Sequence, residues 1–266
     1  MMKPLLSVCL TVSLTWTLQA APPETNSNGP VDVGHVIVVG TGMAGLSAAL
    51  EAAQNGARVT VLEMWSVFGG TSFISGGKLA IVGTALQKSK GIEDSPDLAF
   101  QDFVNCGQDL DREWVRYYVD HSNEEVYEWL TEAGVKFDVL VHFARNSVAR
   151  GHGSKELGVG LINPLFQTCA KHPKIRFVWN VKVVDLVRNE EGVAGVKGVE
   201  TRKGIEQEFL ADAIVLATGG FQSNLKMIRE YWPKPLPLPS RVLTGSGINS
   251  IGIGHAILRE AGAKYH

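Results

Sequence analysis

The 266 residues carry 25 basic and 27 acidic side chains, a formal net charge of -2, with 45% apolar residues and 29 glycines. Near-neutral charge without a basic run argues against a nucleic-acid or anionic-membrane partner recognised by bulk charge. The length suits one sizeable core, or one and a half domains, and no repeat at solenoid periods is present.

The chain opens on Met1-Met2-Lys3-Pro4, an apolar run from Leu5 to Trp16, and the small-residue stretch Leu18-Gln19-Ala20-Ala21. That order predicts a secretory signal peptide over residues 1–21, and the run is too short to span a bilayer. The expectation is therefore an exported protein, periplasmic or secreted, without stable membrane insertion. A disordered apolar N-terminus and an uncleaved anchor stay open as alternatives. Residues 22–34, polar and turn-rich, read as a linker. Of Cys9, Cys106 and Cys169, removal of the signal leaves two, which either pair or stay free, and no Cys/His spacing suits zinc or haem attachment.

His35 to Val39 is a β-branched run of the kind found in buried parallel strands. Gly40-Thr41-Gly42-Met43-Ala44-Gly45 follows as G-x-G-x-x-G, then a helix from Met43 to Asn55 closed by Gly56, and a second strand from Arg58 to Leu62 ending at Glu63. In this strand–turn–helix context the first glycine permits the tight turn and the second lets a pyrophosphate approach the backbone. The third lets helix and strand pack, and the helix N-terminus faces the phosphates. Glu63 is placed to accept from ribose hydroxyls. Past Met64, Phe68-Gly69-Gly70-Thr71-Ser72-Phe73-Ile74-Ser75-Gly76-Gly77 predicts a glycine-rich polar loop that brings backbone to a cofactor a second time.

Helices are expected near Glu113–Ala133 and Leu161–Lys171. In the first, Trp114, Val115, Val119, Val126 and Trp129 read as the apolar stripe, and Asp120, His121, Glu124 and Glu125 as its wet face. Ile175–Trp179, Val181–Val187, Val193–Glu200 and Gln207–Leu210 read as short strands of an inserted β-meander. Ala213 to Phe221 is an apolar strand ending in Ala217-Thr218-Gly219-Gly220, small enough to leave room for a cofactor. The prolines of Tyr231–Ser240 predict a rigid extended crossing.

Together these elements resemble the two-dinucleotide-binding-domain flavoproteins, and more narrowly the fumarate reductase/succinate dehydrogenase flavoprotein superfamily. The resemblance runs from His35 to the C-terminus. It is carried by the Phe68–Gly77 loop, by Ala217-Thr218-Gly219-Gly220-Phe221 with Asn224, and by Arg150-Gly151-His152-Gly153-Ser154-Lys155. It implies an α/β, Rossmann-like FAD-binding domain over residues 35–266, with the meander inserted and with the capping domain and C-terminal flavin segment lacking. Ala44 and Glu63 would face the ADP half of FAD, with Gly40, Gly42, Met43, Gly45 and Met64 around it. Val183 would pack near the adenine. Gly70, Thr71, Ser72, Ser75, Gly76 and Gly77 would face the pyrophosphate and flavin, together with Ala217, Thr218 and Gly219. Gly70 occupies the place of the histidine that bonds FAD covalently in membrane-type succinate dehydrogenases, so FAD is expected to be non-covalent.

Two departures accompany the resemblance. The family's N-T-G-D-G element reads Asn249-Ser250-Ile251-Gly252-Ile253-Gly254, with Ile253 in place of the acid and one extra residue. The family's substrate-binding His and Arg residues and its proton-donating Arg would follow His266. The implied activity is reduction or dehydrogenation of a C–C bond beside a carboxylate or carbonyl. The implied substrate is a small carboxylic acid or ketone, and the electron partner a haem protein or quinol-linked donor. A catalytically silent FAD-binding fragment is the alternative; an NAD-dependent short-chain dehydrogenase fits poorly, because no Tyr-x-x-x-Lys pair occurs. His142, Arg145, Arg150 and His152 either face the flavin edge and substrate carboxylates or form a solvated basic loop.

Overall fold

The β-branched run at the start becomes β1 (His35–Val39), followed by α1 (Met43–Gln54) and β2 (Arg58–Glu63). Asn55 caps α1 and Gly56, at φ 99°, turns the chain into β2, since left-handed backbone favours glycine. The computed structural model describes residues 33–107, 110–245 and 247–263. The signal peptide and most of the linker lie outside the described residues. The chain divides into two compact units, 33–67 with 173–263, and 68–172.

The second unit begins with α2 (Gly70–Phe73), a single helical turn inside the stretch expected as loop, then β3 (Lys78–Ala80), α3 (Ala85–Ser89) and α4 (Pro96–Cys106). Helix α3 carries a reciprocal cap between Thr84 and Gln87, and α4 starts on a Ser95 cap with Pro96 in its first turn. The helix expected near Glu113–Ala133 is three pieces: α5 (Arg112–His121), a π-helical turn (Ser122–Glu128) and α6 (Trp129–Glu132). Val119 is buried as expected, but Trp114 is 50% exposed and stacks on Tyr117, with ring centroids 5.6 Å apart. The wider π turn shifts the helical phase, so one stripe cannot serve both ends. Strands β4 (Val139–Val141) and β5 (Gly151–Gly153) join β3 in a three-stranded antiparallel sheet, order β3-β5-β4, and α7 (Leu157–Lys171) closes the unit.

The first unit resumes with β6 (Ile175–Trp179), β7 (Val181–Asn189), β8 (Gly192–Glu200), β9 (Glu206–Leu210) and β10 (Ala213–Leu216). Four strands form a parallel sheet in the order β10-β1-β2-β6, with Val38 opposite both Val61 and Val215. The sheet assigns Ile175–Trp179 differently from the sequence reading. That strand pairs in parallel with β2, leaving the meander three antiparallel strands, β7-β8-β9. Composition cannot separate the two roles, because a short apolar strand serves either ladder.

The core centres on β1 and β2, where Ile37, Val38 and Leu62 are fully buried, together with Leu46 and Ala49 of α1. The meander adds Val183 and Val196 to the cluster of Ile37, Val39 and Leu62. After β10 come α8 (Leu225–Glu230) and α9 (Ile253–Glu260). Between them the proline-rich stretch is not one straight crossing. Pro233 and Pro235 have no N–H to offer an extended pairing, and the Leu236 N–H instead closes a turn on the Pro233 carbonyl at 3.0 Å.

Candidate functional site

The turn between β1 and α1 is built so that two of its three glycines are required by the protein itself. Gly40 sits at φ 107°, and a Cβ on it would run into the Ala217 carbonyl oxygen. A Cβ on Gly45 would run into the Gly40 carbonyl oxygen, so helix and turn touch through bare backbone. Gly42 is different. It is the N-cap of α1 at φ -68° and ψ 178°, a conformation open to any residue, and no side chain caps the helix there. With no side chain capping them, the N–H groups and positive end of α1 suit an anion.

Glu63, at the end of β2, is 9% exposed. Its Oε2 accepts from the Thr41 N–H at 3.0 Å and the Thr41 hydroxyl at 2.5 Å, and its Oε1 from the Trp65 N–H at 3.0 Å. The sequence reading placed Glu63 for ribose alone and missed Thr41, a fully buried residue that stitches the turn to β2. A carboxylate offers about four acceptor positions, so these bonds leave roughly one, on Oε1, for a ligand hydroxyl. Met43 and Ala44 lie in the first turn of α1, and Met64 follows Glu63, half-buried.

The segment after β10 joins the same turn. The Ala217 N–H donates to the Val39 carbonyl at 2.9 Å, and Gly219 turns at φ 73° with open space where a Cβ would stand. Thr218 packs on α9, since a Cβ on Gly254 would meet its hydroxyl. Ile253, which replaces the family's acid, packs against the core cluster that includes Val39 and Leu62. The Val183 side chain is 4% exposed in that same cluster, so it is a core residue first. A ladder irregularity between Val183 and Asp185 breaks the strand pairing beside it.

In the second unit the glycine-rich stretch is locked onto the start of α7. Gly77, at φ 57°, abuts the Leu157 backbone, and a Cβ on Gly158 would strike the Ser72 carbonyl oxygen. The Gly158 N–H donates to the Ser75 carbonyl at 3.0 Å. Ser75, expected to face the cofactor, uses its hydroxyl internally: it donates to the Ser72 carbonyl at 2.8 Å and accepts from the Gly77 N–H at 3.2 Å. Gly70 and Gly76 have open space around a would-be Cβ, and Thr71 is exposed with Ser72 half-buried beside it. The structure thus brings Gly40, Gly42, Gly45, Glu63, Ala217, Thr218 and Gly219 together in one unit, and Gly70 to Gly77 in the other.

The basic segment divides: His142 and Arg145 are exposed, as a solvated loop would have them, whereas Arg150 and His152 fit neither sequence alternative. Arg150 is fully buried, with Nε and Nη2 donating to Asp94 at 2.8 and 2.7 Å, and Nη1 donating to Asp102 and, at 3.1 Å, to Asn146. Burial acts to lower the Arg150 guanidinium, but Asp94 and Asp102 hold it above its ordinary value. Burial alone would raise the Asp102 carboxyl; the Ser147 N–H, Arg150 and the Ser147 hydroxyl hold it below the usual range. His152 is also fully buried, its Nδ1 2.7 Å from the Arg150 carbonyl and its Nε2 2.7 Å from the Thr84 hydroxyl. The carbonyl only accepts, so the proton sits on Nδ1 and Thr84 donates to Nε2. Burial pushes this imidazole down, against the Arg150 backbone and Asp94. Cys169 is buried, which pushes its thiol up to about 12. A basic triplet in sequence could not announce Asp94 and Asp102, which lie far from it along the chain.

A βαβ unit with an open glycine at the helix N-cap and a buried acid at the end of the second strand defines a dinucleotide-binding α/β domain. The chain belongs to the FAD binding domain family, which it matches over residues 35–266, and FAD is the cofactor of that family. A KsdD-like steroid dehydrogenase of Mycobacterium tuberculosis is 32% identical over 260 residues, covering 85% of this chain and 46% of the relative. A urocanate reductase of Eggerthella lenta is 31% identical over 252 residues, covering 92% and 41%. The open conformation of a flavocytochrome c3 fumarate reductase superposes with a TM-score of 0.77 at 32% identity, covering 89% of this chain and 42% of that one. The resemblance to the fumarate reductase/succinate dehydrogenase flavoproteins is borne out. This chain spans less than half the length of those proteins.

Proposed function

We propose that the chain forms the FAD-holding part of an oxidoreductase that adds or removes hydrogen across a C–C bond beside a carboxylate or carbonyl. The observation that carries this reading is the open N-terminus of α1 behind Gly42, with Glu63 at the end of β2. FAD, when bound, supplies hydride exchange. The chain's own part is positional: Gly40, Gly42 and Gly45 admit the pyrophosphate, Glu63 accepts from the ribose, and the Gly70–Gly77 segment faces the flavin side. FAD is held without a covalent bond, because Gly70 offers no nucleophile. Acid precipitation then releases the flavin to the supernatant, and flavin remaining on the denatured polypeptide would count against this.

The substrate is a small carboxylic acid or ketone, by analogy with relatives that act on fumarate, urocanate or steroids. Such a reaction needs a cationic clamp and a proton donor. Arg150 and His152 are closed off from that role by their buried partners. With these two closed off, slow turnover by the chain alone is expected. Reduced viologen with fumarate, or an acceptor dye with a steroid ketone, tests this; rapid turnover by the chain alone would refute it.

The N-terminal pattern supports export to the periplasm or beyond, with a haem protein or quinol-linked donor as electron source. Among the described residues no helix is long and apolar enough to cross a membrane. Mass spectrometry of material from cells should find a mature N-terminus near Ala21, and an intact Met1 on cytoplasmic protein would end the export reading.

A further inference from the structure

Trp65 stands next to the ribose acceptor, and the fold gives no reason for its ring. Its backbone is held on both sides: its N–H donates to Glu63 Oε1 at 3.0 Å, and its carbonyl accepts from the Asn180 N–H at 3.3 Å. The following residue is tied down as well, with the Ser66 hydroxyl donating to Asn180 Oδ1 at 2.7 Å and accepting from Arg202 Nη2 at 2.8 Å. Asn180 is itself set at φ 62° between β6 and β7. Yet the Trp65 side chain is 41% exposed. A core tryptophan would be buried. An idle surface residue would have no need of a main chain pinned at its N–H, at its carbonyl and at its neighbour.

A fixed backbone carrying a tryptophan with 41% of its surface exposed suits a stacking platform, because little main-chain ordering remains to be done when a planar ligand arrives. The location identifies the ligand. The acid at the end of the second strand accepts from the ribose, and the base leaves the same sugar at the adjoining carbon. A base attached to a ribose on Glu63 must therefore lie close to the residue whose N–H bonds that carboxylate. Asn180, whose N–H donates to the Trp65 carbonyl, leads directly into β7, the strand whose ladder is broken beside Val183.

We propose that Trp65 stacks on the adenine of the bound dinucleotide and supplies much of the affinity for its adenosine half. This rests on the FAD reading of the Gly40–Glu63 unit, and it assigns to Trp65 a contact that neither the G-x-G-x-x-G pattern nor Glu63 provides. Base–aromatic stacking typically changes affinity by about tenfold or more on removal of the ring.

The test uses ADP, which carries adenine, ribose and pyrophosphate but no flavin, alongside FAD and inorganic pyrophosphate. Wild type, Trp65→Ala and Trp65→Phe are titrated by calorimetry and by tryptophan emission. Trp65→Ala should raise the Kd for ADP and for FAD about tenfold or more, with Trp65→Phe close to wild type and pyrophosphate binding the same in all three. ADP should quench a component of the emission that Trp65→Phe lacks. Equal ADP affinity in wild type and Trp65→Ala would overturn the stacking role. So would an equal weakening of pyrophosphate, which would make Trp65 a structural prop of the turn. A wild-type chain that binds FAD while Trp65→Ala binds it equally defeats only this proposal; a wild type that binds neither ADP nor FAD defeats the cofactor reading and this proposal with it.

Discussion

Replacing Arg150 with Met removes a guanidinium that makes four hydrogen bonds, two to Asp94, one to Asp102 and one to Asn146. The side chains of Arg150 and Asp94 have no exposed surface and that of Asp102 is 9% exposed, so water cannot take over the vacated bonds without opening the unit. Breaking a buried pair from one side costs about 3–5 kcal/mol, mostly from the carboxylate left behind; here two carboxylates are left. Arg150→Lys keeps the charge but not the planar fork that reaches both acids, so an intermediate loss of about 1–3 kcal/mol is expected. Urea denaturation followed by circular dichroism measures both. The sign with pH follows from Asp102, whose carboxyl is held below its ordinary value of 3.8 in the folded chain. Its stabilisation is present above that value and lost as pH falls through the lower folded value. In Arg150→Met the stranded Asp102 carboxylate resists ionisation, so the gap to wild type should narrow as pH drops from neutral towards about 4. A loss below about 1 kcal/mol, or a gap indifferent to pH, would refute the assignment of Arg150 as a buried counter-ion.

Gly42→Val and Gly45→Ala should part company. The first should abolish FAD uptake, with a stability loss of about 1 kcal/mol from the poorer N-cap. The second drives a Cβ into the Gly40 carbonyl and should cost about 1–3 kcal/mol of stability whether or not FAD is present. Leu157→Gly relieves a leucine held at φ 57°, and should raise stability by about 1 kcal/mol after the extra freedom of the unfolded glycine is counted. A drop in the urea midpoint would show that the contacts of this 54% exposed leucine matter more than its backbone strain. His152 is pushed below its ordinary 6.5 by burial, so the unfolded chain binds the extra proton first. Its stabilisation should be complete above about pH 6.5 and fade as pH falls below it, and His152→Gln should flatten that part of the stability–pH curve.

Features that depend on neighbours along the chain could be read without coordinates. The β1–α1–β2 unit was legible because strand, glycine turn, helix and acid follow one another within thirty residues of local geometry, about one βαβ half-unit. The three hairpin strands of the meander were legible for the same reason, through turn residues at Asn189–Gly192 and Lys203–Gly204. Features that depend on partners distant in the chain were not. Ile175–Trp179 has the same composition as a meander strand, and only its pairing with β2 puts it in the parallel sheet. Arg150 and His152 look like solvated or substrate-binding cations until Asp94, Asp102 and Thr84 are brought to them by folding. That Ser75 bonds within its own loop and that α7 packs on the stretch around it also depends on the fold. A charged side chain declares its type in the sequence, but whether it meets water, ligand or a buried counter-ion is set by which distant segment packs against it, because desolvation and pairing energies depend on three-dimensional proximity alone.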